Sequence, residues 1–213
     1  MPSKSVKKRP IRAYSSPARD QQADETRTRI LDAARRLFLE QGFDGTTIDA
    51  IAKAAEVATP TVYGAFGSKR GLVAELLNRA RMGPSYAELV KAAHAETEPE
   101  AKVRCTAAIA RDVFDAERSE MDLLRGAGVL SPELGDEERE RNRFTGQKRL
   151  VDFLFEAGRL REDLDAATAR DVLYALTSRD LYRQLVVVRG WPSSKYQTWL
   201  ADTLVASLLA PSK

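Results

Sequence analysis

The sequence has few of the side chains on which metal sites and disulfide frameworks depend. Its 213 residues include one cysteine, Cys105, and one histidine, His94. One cysteine excludes an internal disulfide and fits the reducing cytoplasm, and a zinc site of ordinary ligand type would need more of both residues. No apolar run approaches the roughly 20 residues of a membrane helix, and no signal-peptide pattern follows the basic N-terminus. We therefore expect a cytoplasmic protein with no metal, no cofactor and no membrane partner.

Motifs of catalysis are also absent from the sequence. It contains no Gly-rich phosphate loop, no nucleophile elbow and no helix motif that pairs a carboxylate with histidines. Ser5 and Lys8 have the spacing of a Ser/Lys nucleophile pair, but they lie in a polar, basic segment with almost no apolar content. We therefore predict that the protein is not an enzyme.

Positive charge is concentrated at the N-terminal end. The chain carries a net charge of +3, whereas residues 1–82 contain 15 Lys/Arg against 9 Asp/Glu. Residues 1–22 predict a disordered arm, whose basic residues are Lys4, Lys7, Lys8, Arg9, Arg12 and Arg19. Such an arm can lie along phosphates or enter a minor groove; the alternative is a tail that only aids solubility.

Apolar spacing predicts two helices between Ile30 and Ala55, of which the second is short. The first ends at Gly42, a residue type suited to the position after a helix C-terminus, and its apolar face comprises Ile30, Leu31, Ala34, Leu37 and Phe38. The second begins after Thr46 and Thr47, whose hydroxyls can accept from free N–H groups. Its apolar face comprises Ile48, Ile51, Ala52 and Ala55.

A third and a fourth helix follow closely. Thr59 is the expected N-cap of the third helix, with Pro60 at its first position, and Val62 and Phe66 turn inward together. Ser68 caps the fourth helix, which we place from Lys69 to Met82; its inward residues are Leu72, Val73, Leu76 and Leu77. The second and third helices form a helix-turn-helix, the arrangement that holds one helix out for a DNA groove.

This run of residues resembles the N-terminal domain of the tetracycline-repressor family of bacterial transcription regulators. The resemblance covers about residues 25–80; the matching parts are the helix Ile30 to Phe38, Gly42-Phe43, Thr47, Ile51-Ala52, Val57, Pro60-Thr61-Val62-Tyr63, Phe66 and Ser68-Lys69. Glu56 departs from the family, which usually has glycine in this turn; a positive φ there would carry a modest strain. The resemblance implies an all-α fold: an N-terminal three-helix helix-turn-helix domain and a C-terminal helical domain for ligand binding and dimerisation.

The resemblance also implies which residues contact double-stranded DNA. In the family, the residue aligned with Thr47 touches a phosphate, those aligned with 59–61 face base edges, and those aligned with Tyr63 and Lys69 hold the DNA backbone. Gly64-Ala65 replaces a pair that is commonly bulky, so direct readout would depend on Thr59, Thr61 and the arm. The predicted DNA-contacting residues are Thr46, Thr47, Thr59, Pro60, Thr61, Tyr63, Gly64 and Lys69.

Three segments follow from these patterns: the arm (1–22), the DNA-binding domain with its linker helix (23–82) and a second helical domain (83–213). Within the second domain, apolar spacing predicts helices at about 85–95, 99–117, 119–126, 136–157, 166–189 and 193–209. The last two are more apolar than a surface pair needs to be. In the family the corresponding helices pair with their twins, which implies a homodimer; the alternative is ordinary burial inside one chain.

The resemblance further implies a small-molecule inducer that enters the helical domain and releases DNA. The candidate ligand-contacting residues are Cys105, Ile109, Phe114, Phe144, Phe155, Tyr174, Thr177, Arg179 and Tyr182. Each is more often a core residue than a ligand contact. Tyr174, Thr177 and Tyr182 would add polar groups to an apolar cavity, which is the usual composition of a pocket.

Together, these observations predict a dimeric transcriptional regulator that binds a palindromic operator, and a repressor is favoured over an activator. Two alternatives stay open. One is an enzyme that carries an attached DNA-binding head, and the other is an architectural DNA-binding protein that needs no ligand.

Overall fold

The computed structural model describes residues 17–126 and 137–211, and this part of the chain is built from helices. In chain order they are α1 (Pro17–Gly45), α2 (Ile48–Ala54), α3 (Thr59–Phe66), α4 (Lys69–Arg81), α5 (Pro84–Ala95), α6 (Pro99–Gly126), α7 (Glu137–Glu156), α8 (Ala166–Leu176), α9 (Arg179–Tyr182), a π-helix (Arg183–Val188) and α10 (Ser193–Leu208). Over these two ranges the chain forms no sheet, and one isolated bridge joins Leu160 to Leu209. The predicted all-α fold is confirmed.

The first helix begins earlier than the sequence suggested. Because α1 begins at Pro17, the end of the segment expected to be disordered is helical and includes Arg19; the other basic residues of the predicted arm lie outside the described residues. Gly42 interrupts the helical backbone with φ 75° and ψ 168°. This left-handed φ suits a residue without a Cβ, so the predicted end of the regular helix at Gly42 is correct.

Local capping sets the ends of the next helices. The Thr47 hydroxyl accepts from the Ala50 N–H and caps α2, and the Ser68 hydroxyl accepts from the Gly71 N–H and caps α4, both as predicted. Thr59 is not an N-cap: α3 already includes it, and Ala58 stands at the cap position without a side-chain bond. Glu56 has φ 56°, so the turn before α3 keeps the left-handed conformation that glycine usually supplies.

The first four helices enclose the first of two cores. Its buried residues in α1 to α4 are Ile30, Leu31, Ala33, Ala34, Leu37, Phe38, Ile48, Ile51, Ala52, Ala55, Val62, Leu72, Val73, Leu76 and Leu77. Leu124 completes this core from the last turn of α6. The four-helix unit of residues 17–81, which we call the head, is therefore joined to the rest of the chain by shared packing with α6.

Helix α6 is continuous, whereas the sequence predicted one helix over 99–117 and another near 119–126. The structure corrects this, and two features explain the continuity. Arg118 and Asp122 form an i,i+4 ion pair across the expected break, which supports a helix. The same stretch is held against the head, because Glu120 accepts two hydrogen bonds from Arg35.

The second core lies between α6, α7, α8, α9, the π-helix and α10. Its larger buried residues are Val103, Leu150, Val151, Leu154, Leu173, Tyr182, Val186, Tyr196, Leu200, Leu204 and Leu208. The helix predicted over 166–189 is broken: α8 ends at Leu176, and Ser178 caps α9 by accepting from the Leu181 N–H. The backbone then continues as a π-helix, a form that is often found at functional sites.

Candidate nucleic-acid interface

Helix α3 is held by one side and presents the other to solvent. Val62 is 1% exposed in the head core, and Phe66 packs against the same core. On the opposite side Pro60, Thr61 and Gly64 are exposed, and Tyr63 is 52% exposed. The outer face of α3 therefore offers small side chains and one phenol to a partner.

The two threonines before α2 have different environments. Thr47 is exposed and caps α2, which leaves it available at the surface as predicted. Thr46 is fully buried, and its hydroxyl lies within hydrogen-bond distance of the carbonyl oxygens of Leu37 and Gly42. The Thr46 side chain bonds the end of α1 internally, so we withdraw it as a DNA contact.

Thr59 is half-buried and already has a partner. Its hydroxyl donates to Asp49 Oδ1 over 2.7 Å, and this bond ties the first turn of α3 to the first turn of α2. The hydroxyl keeps lone pairs that can accept from a base. Sequence reasoning missed Asp49 because a carboxylate in the first turn of a helix is common for electrostatic reasons alone.

Lys69 bonds to the backbone of its own head. Its ammonium donates to the carbonyl oxygens of Phe43 and Thr46 at 2.6 and 2.9 Å and lies 4.4 Å from the centre of the Phe43 ring. An ammonium has three donors, so one remains for a phosphate. Lys69 thus holds the α1–α2 connection in place, and its contact with a phosphate stays a prediction.

Two further contacts fix the angle of α3, and sequence reasoning found neither. Arg27 donates to the carbonyl of Ala65 over 3.1 Å and lies over the Phe66 ring. At the other side, a Cβ on Gly71 would stand 1.9 Å from the Phe66 carbonyl oxygen. Helix α4 can approach the end of α3 this closely because position 71 is glycine.

The predicted ligand-contacting residues lie in three different places. Phe114, Thr177, Arg179 and Tyr182 lie around the break between α8 and α9, where the rings of Phe114 and Tyr182 are 5.2 Å apart. Three aromatic candidates are instead exposed on the surface: Phe144, Phe155 and Tyr174. The remaining two, Cys105 and Ile109, are half-buried in α6, where burial raises the pKa of the Cys105 thiol.

Buried charge connects the two domains at the same break. Glu117 of α6 forms ion pairs with Arg81, the last residue of α4, and with Arg179, the first residue of α9, at 3.1 and 2.7 Å. The Glu117 and Arg81 side chains are 8% and 6% exposed. We call these three residues the Glu117 bridge. Charges buried this far depend strongly on their partners, so the bridge is sensitive to any shift of α6.

Known bacterial regulators are similar to this chain. Residues 30–76 match the model of bacterial regulatory proteins of the tetR family. The chain is 31% identical over 160 residues to the uncharacterized helix-turn-helix regulator YdeS of Bacillus subtilis, a match that covers 70% of this chain and 74% of YdeS.

The chain belongs to the tetR family of bacterial regulatory proteins. It is a DNA-binding transcriptional regulator of the helix-turn-helix type. The regulator AcrR of Shigella flexneri is 46% identical over 56 residues, which is 26% of each chain. Over most of the chain the fold is similar to that of SmeT, the repressor of the multidrug efflux pump SmeDEF of Stenotrophomonas maltophilia. That similarity has a TM-score of 0.57 at 24% identity and covers 87% of the regulator and 93% of SmeT.

Within residues 17–126 and 137–211, no helix of the regulator combines the length and the apolar character that crossing a membrane requires.

Proposed function

We propose that the regulator represses transcription in the cytoplasm by binding a palindromic operator as a homodimer, and that a small molecule releases it. One observation supports this proposal above all. Thr61 and Tyr63 are exposed on α3, while Val62 on the opposite side of the helix is buried in the core. Two copies of α3 would enter successive major grooves about 34–36 Å apart. Thr61, with Thr59 and Pro60 beside it, would meet base edges, while Thr47, Tyr63, Gly64 and Lys69 would approach the backbone. SmeT, a repressor by name, supports repression over activation.

The dimer surface that we propose lies on α7 and α8. Phe144 and Phe155 are 48% and 67% exposed and are eleven residues apart, about three helical turns, so they share one face of α7. Tyr174 is exposed on the neighbouring α8. A contiguous exposed apolar patch marks an interaction surface, and we propose that these three rings belong to one. Helix α10 buries Tyr196, Leu200, Leu204 and Leu208 inside the chain, whereas its Trp199 and Val205 are half-buried; its place in the dimer surface stays a prediction.

Control by a ligand would pass through α6. This helix contacts the head through Leu124 and Glu120 and reaches the α8–α9 break through the Glu117 bridge. A ligand that binds between α6 and α8 more tightly in one position of α6 would change the position of α4, and with it the separation of the two α3 helices. The ligand can shift the equilibrium only by this difference in affinity.

Thr61→Ala tests the DNA-binding role, with the exposed Thr198→Ala on α10 as the matched control. After selection of a preferred duplex from a random library, Thr61→Ala should weaken binding to that duplex about threefold to tenfold. Binding to unrelated duplexes should not change, because phosphate contacts supply it. Equal behaviour of the two variants on the selected duplex would remove Thr61 from base reading. Failure of the wild-type protein to bind any duplex at low salt would refute the proposal.

A further inference from the structure

Asp49 places a negative charge among residues that we predict to contact DNA. It lies in the first turn of α2, two positions after Thr47, and its carboxylate accepts from the hydroxyl of Thr59, the first residue of α3. Asp49 is exposed, whereas Ile48 and Ile51 of the same helix are buried. The carboxylate therefore lies on the outer surface of the head, where the phosphates of a bound duplex would repel it. A negative charge in this position requires an explanation.

One explanation concerns α2 alone. A carboxylate in the first turn of a helix is favoured by the helix dipole, and Asp49 occupies that turn. The dipole does not account for the bond to Thr59, which joins two different helices over 2.7 Å. This is an ordinary length for a hydroxyl that donates to a carboxylate. The bond fixes the hydrogen of a residue that we propose to meet a base edge.

The bond decides what the Thr59 hydroxyl can offer to a base. A free threonine hydroxyl donates as well as accepts, so it can bond to either kind of base edge. A carboxylate has no hydrogen, so the Thr59 hydroxyl must be the donor in this pair, and its one hydrogen is used. The lone pairs of the hydroxyl and of the second Asp49 oxygen remain. Asp49 thus converts Thr59 into a residue that only accepts.

One base matches such a pair of acceptors better than the other three. In the major groove the donors are the amino groups of adenine and cytosine, whereas guanine and thymine present acceptor oxygens. Adenine carries the acceptor N7 beside its amino group, and this atom would face the second acceptor of the protein. Cytosine presents its amino donor alone. A carboxylate that leaves water at an interface needs donors, and the cytosine amino group supplies one.

We propose that Asp49 determines base specificity: with Thr59 it forms an acceptor pair that selects the amino group of a cytosine, and so a G·C pair at one position in each half of the operator. Asp49 acts by directing the Thr59 hydroxyl and by repelling the oxygen of thymine or guanine at that place. Its charge also weakens binding to unrelated DNA, which increases discrimination. This inference rests on the proposed function, because it places the start of α3 against base edges.

The experiment uses the full-length protein and its preferred duplex, selected from a random library. Each position of one operator half, together with its symmetric mate, is changed in turn to the other base pairs. At one position the wild type should prefer G·C over A·T about tenfold, and Asp49→Asn should reduce this preference to about twofold or less. An amide brings an N–H donor to the pair whichever way it turns, so the match to cytosine is lost there. Preferences at the other positions should not change.

A modified base tests the contact atom itself. N4-methylcytosine pairs with guanine but carries a methyl group in place of the amino hydrogen that faces the major groove. At the selected position it should weaken wild-type binding about tenfold, and binding of Asp49→Asn about twofold or less. Equal losses would come from the bulk of the methyl group alone and would overturn the assignment.

A second variant tests the part played by the hydroxyl. Thr59→Val keeps the shape of the side chain without its hydroxyl and should lose the same preference for G·C. The double variant with Asp49→Asn should lose no more of it than either single variant, because the two residues act as one unit. Additive losses at two different positions would show that the two residues read separate bases, and would overturn the proposed pair.

Binding to unrelated duplexes separates this role from a purely structural one. Asp49→Asn removes a charge beside the phosphates and should bind unrelated duplexes about twofold more tightly at low salt. A residue that only held α2 against α3 would give weaker binding to every duplex and an unchanged base preference. Glu40→Gln, at an exposed residue of α1, removes an equal charge and should change the base preference at no position.

The failure of this inference differs from the failure of the proposed function. An unchanged base preference of Asp49→Asn, on a duplex that the wild type still selects, refutes the role of Asp49 alone. A wild-type protein that binds no duplex at low salt refutes the proposed function.

Discussion

Lys69 has two roles at the scale of the single residue, and they can be separated. Lys69→Ala removes two hydrogen bonds to the backbone carbonyls of Phe43 and Thr46 and should lower the free energy of unfolding by about 1–3 kcal/mol. The exposed Lys53→Ala on α2 should change it by no more than about 0.5 kcal/mol. Chemical denaturation measures both, and equal stabilities would contradict the structural role of Lys69.

The predicted DNA contact of Lys69 is measured separately, under conditions in which the Lys69→Ala variant is still folded. Loss of one phosphate contact should weaken binding to every duplex and reduce the slope of log K against log salt by about 1. A loss confined to the preferred duplex would show that Lys69 does not meet a phosphate.

Tyr182 and Tyr196 predict how stability responds to alkaline pH. Burial raises the pKa of both phenols, whereas a tyrosine in the unfolded chain ionises near pH 10. Above about pH 10 the unfolded state therefore binds fewer protons than the folded state, and stability falls as the pH rises. Below that pH the contribution is fully present.

The ultraviolet absorbance of phenolate measures the ionisation of the two tyrosines directly. Tyr182 and Tyr196 should ionise only as the protein unfolds, and Tyr196→Phe should reduce the loss of unfolding free energy between neutral and alkaline pH. Ionisation of both phenols in a protein whose circular dichroism is still native would refute the prediction.

At the scale of the element, two glycines of the helix-turn-helix region predict opposite effects. Gly71→Ala places a Cβ against the Phe66 carbonyl and should destabilise the head by about 1–3 kcal/mol, because backbone cannot move aside as a side chain can. Gly64 has no atom within 4 Å of such a Cβ. Gly64→Ala in a helix interior should therefore stabilise the protein by up to about 1 kcal/mol. Denaturant unfolding of the two variants measures both, and a tolerated alanine at 71 would show that α3 and α4 are farther apart.

The elements also show which features the sequence could predict. The ends of α2 and α4 depend on a hydroxyl and an N–H three residues apart, so Thr47 and Ser68 could be recognised locally. The break after Leu176 could not, since it depends on Thr177 and on its partners Arg143 and Gln147 from α7. Gln147 left one signal: it shares the helical face of Leu150, Val151 and Leu154, where a polar residue is unexpected.

In the candidate site, too, some features could be predicted from the sequence and others could not. The outward positions Thr61 and Tyr63 follow from the inward position of Val62, because helical spacing fixes both faces at once. Burial of Thr46 beside an exposed Thr47 could not be predicted, as both are equally good capping residues and only the path of the chain after Gly42 decides between them.

At the scale of the whole molecule, the exposed face of α7 predicts the state of assembly. Phe155→Asp should place a charge in the proposed dimer surface and convert the protein to a monomer at micromolar concentration. Leu123→Asp, at an apolar residue of α6 that is 48% exposed, is the control and should leave the dimer intact. Size-exclusion chromatography with light scattering distinguishes these outcomes. A dimeric Phe155→Asp protein would place the interface elsewhere, and a monomeric wild type would exclude the paired-groove arrangement.

The shared packing of α6 has a consequence for dissecting this protein. A fragment that stops after Arg81 would contain every residue of α1 to α4, yet Leu124 would be missing from its interior. The carboxylate of Glu117, which neutralises Arg81, would be missing as well. Such a fragment would have all the residues of the head but not all of its core. A stable shortened protein would therefore have to retain α6 to its last turn.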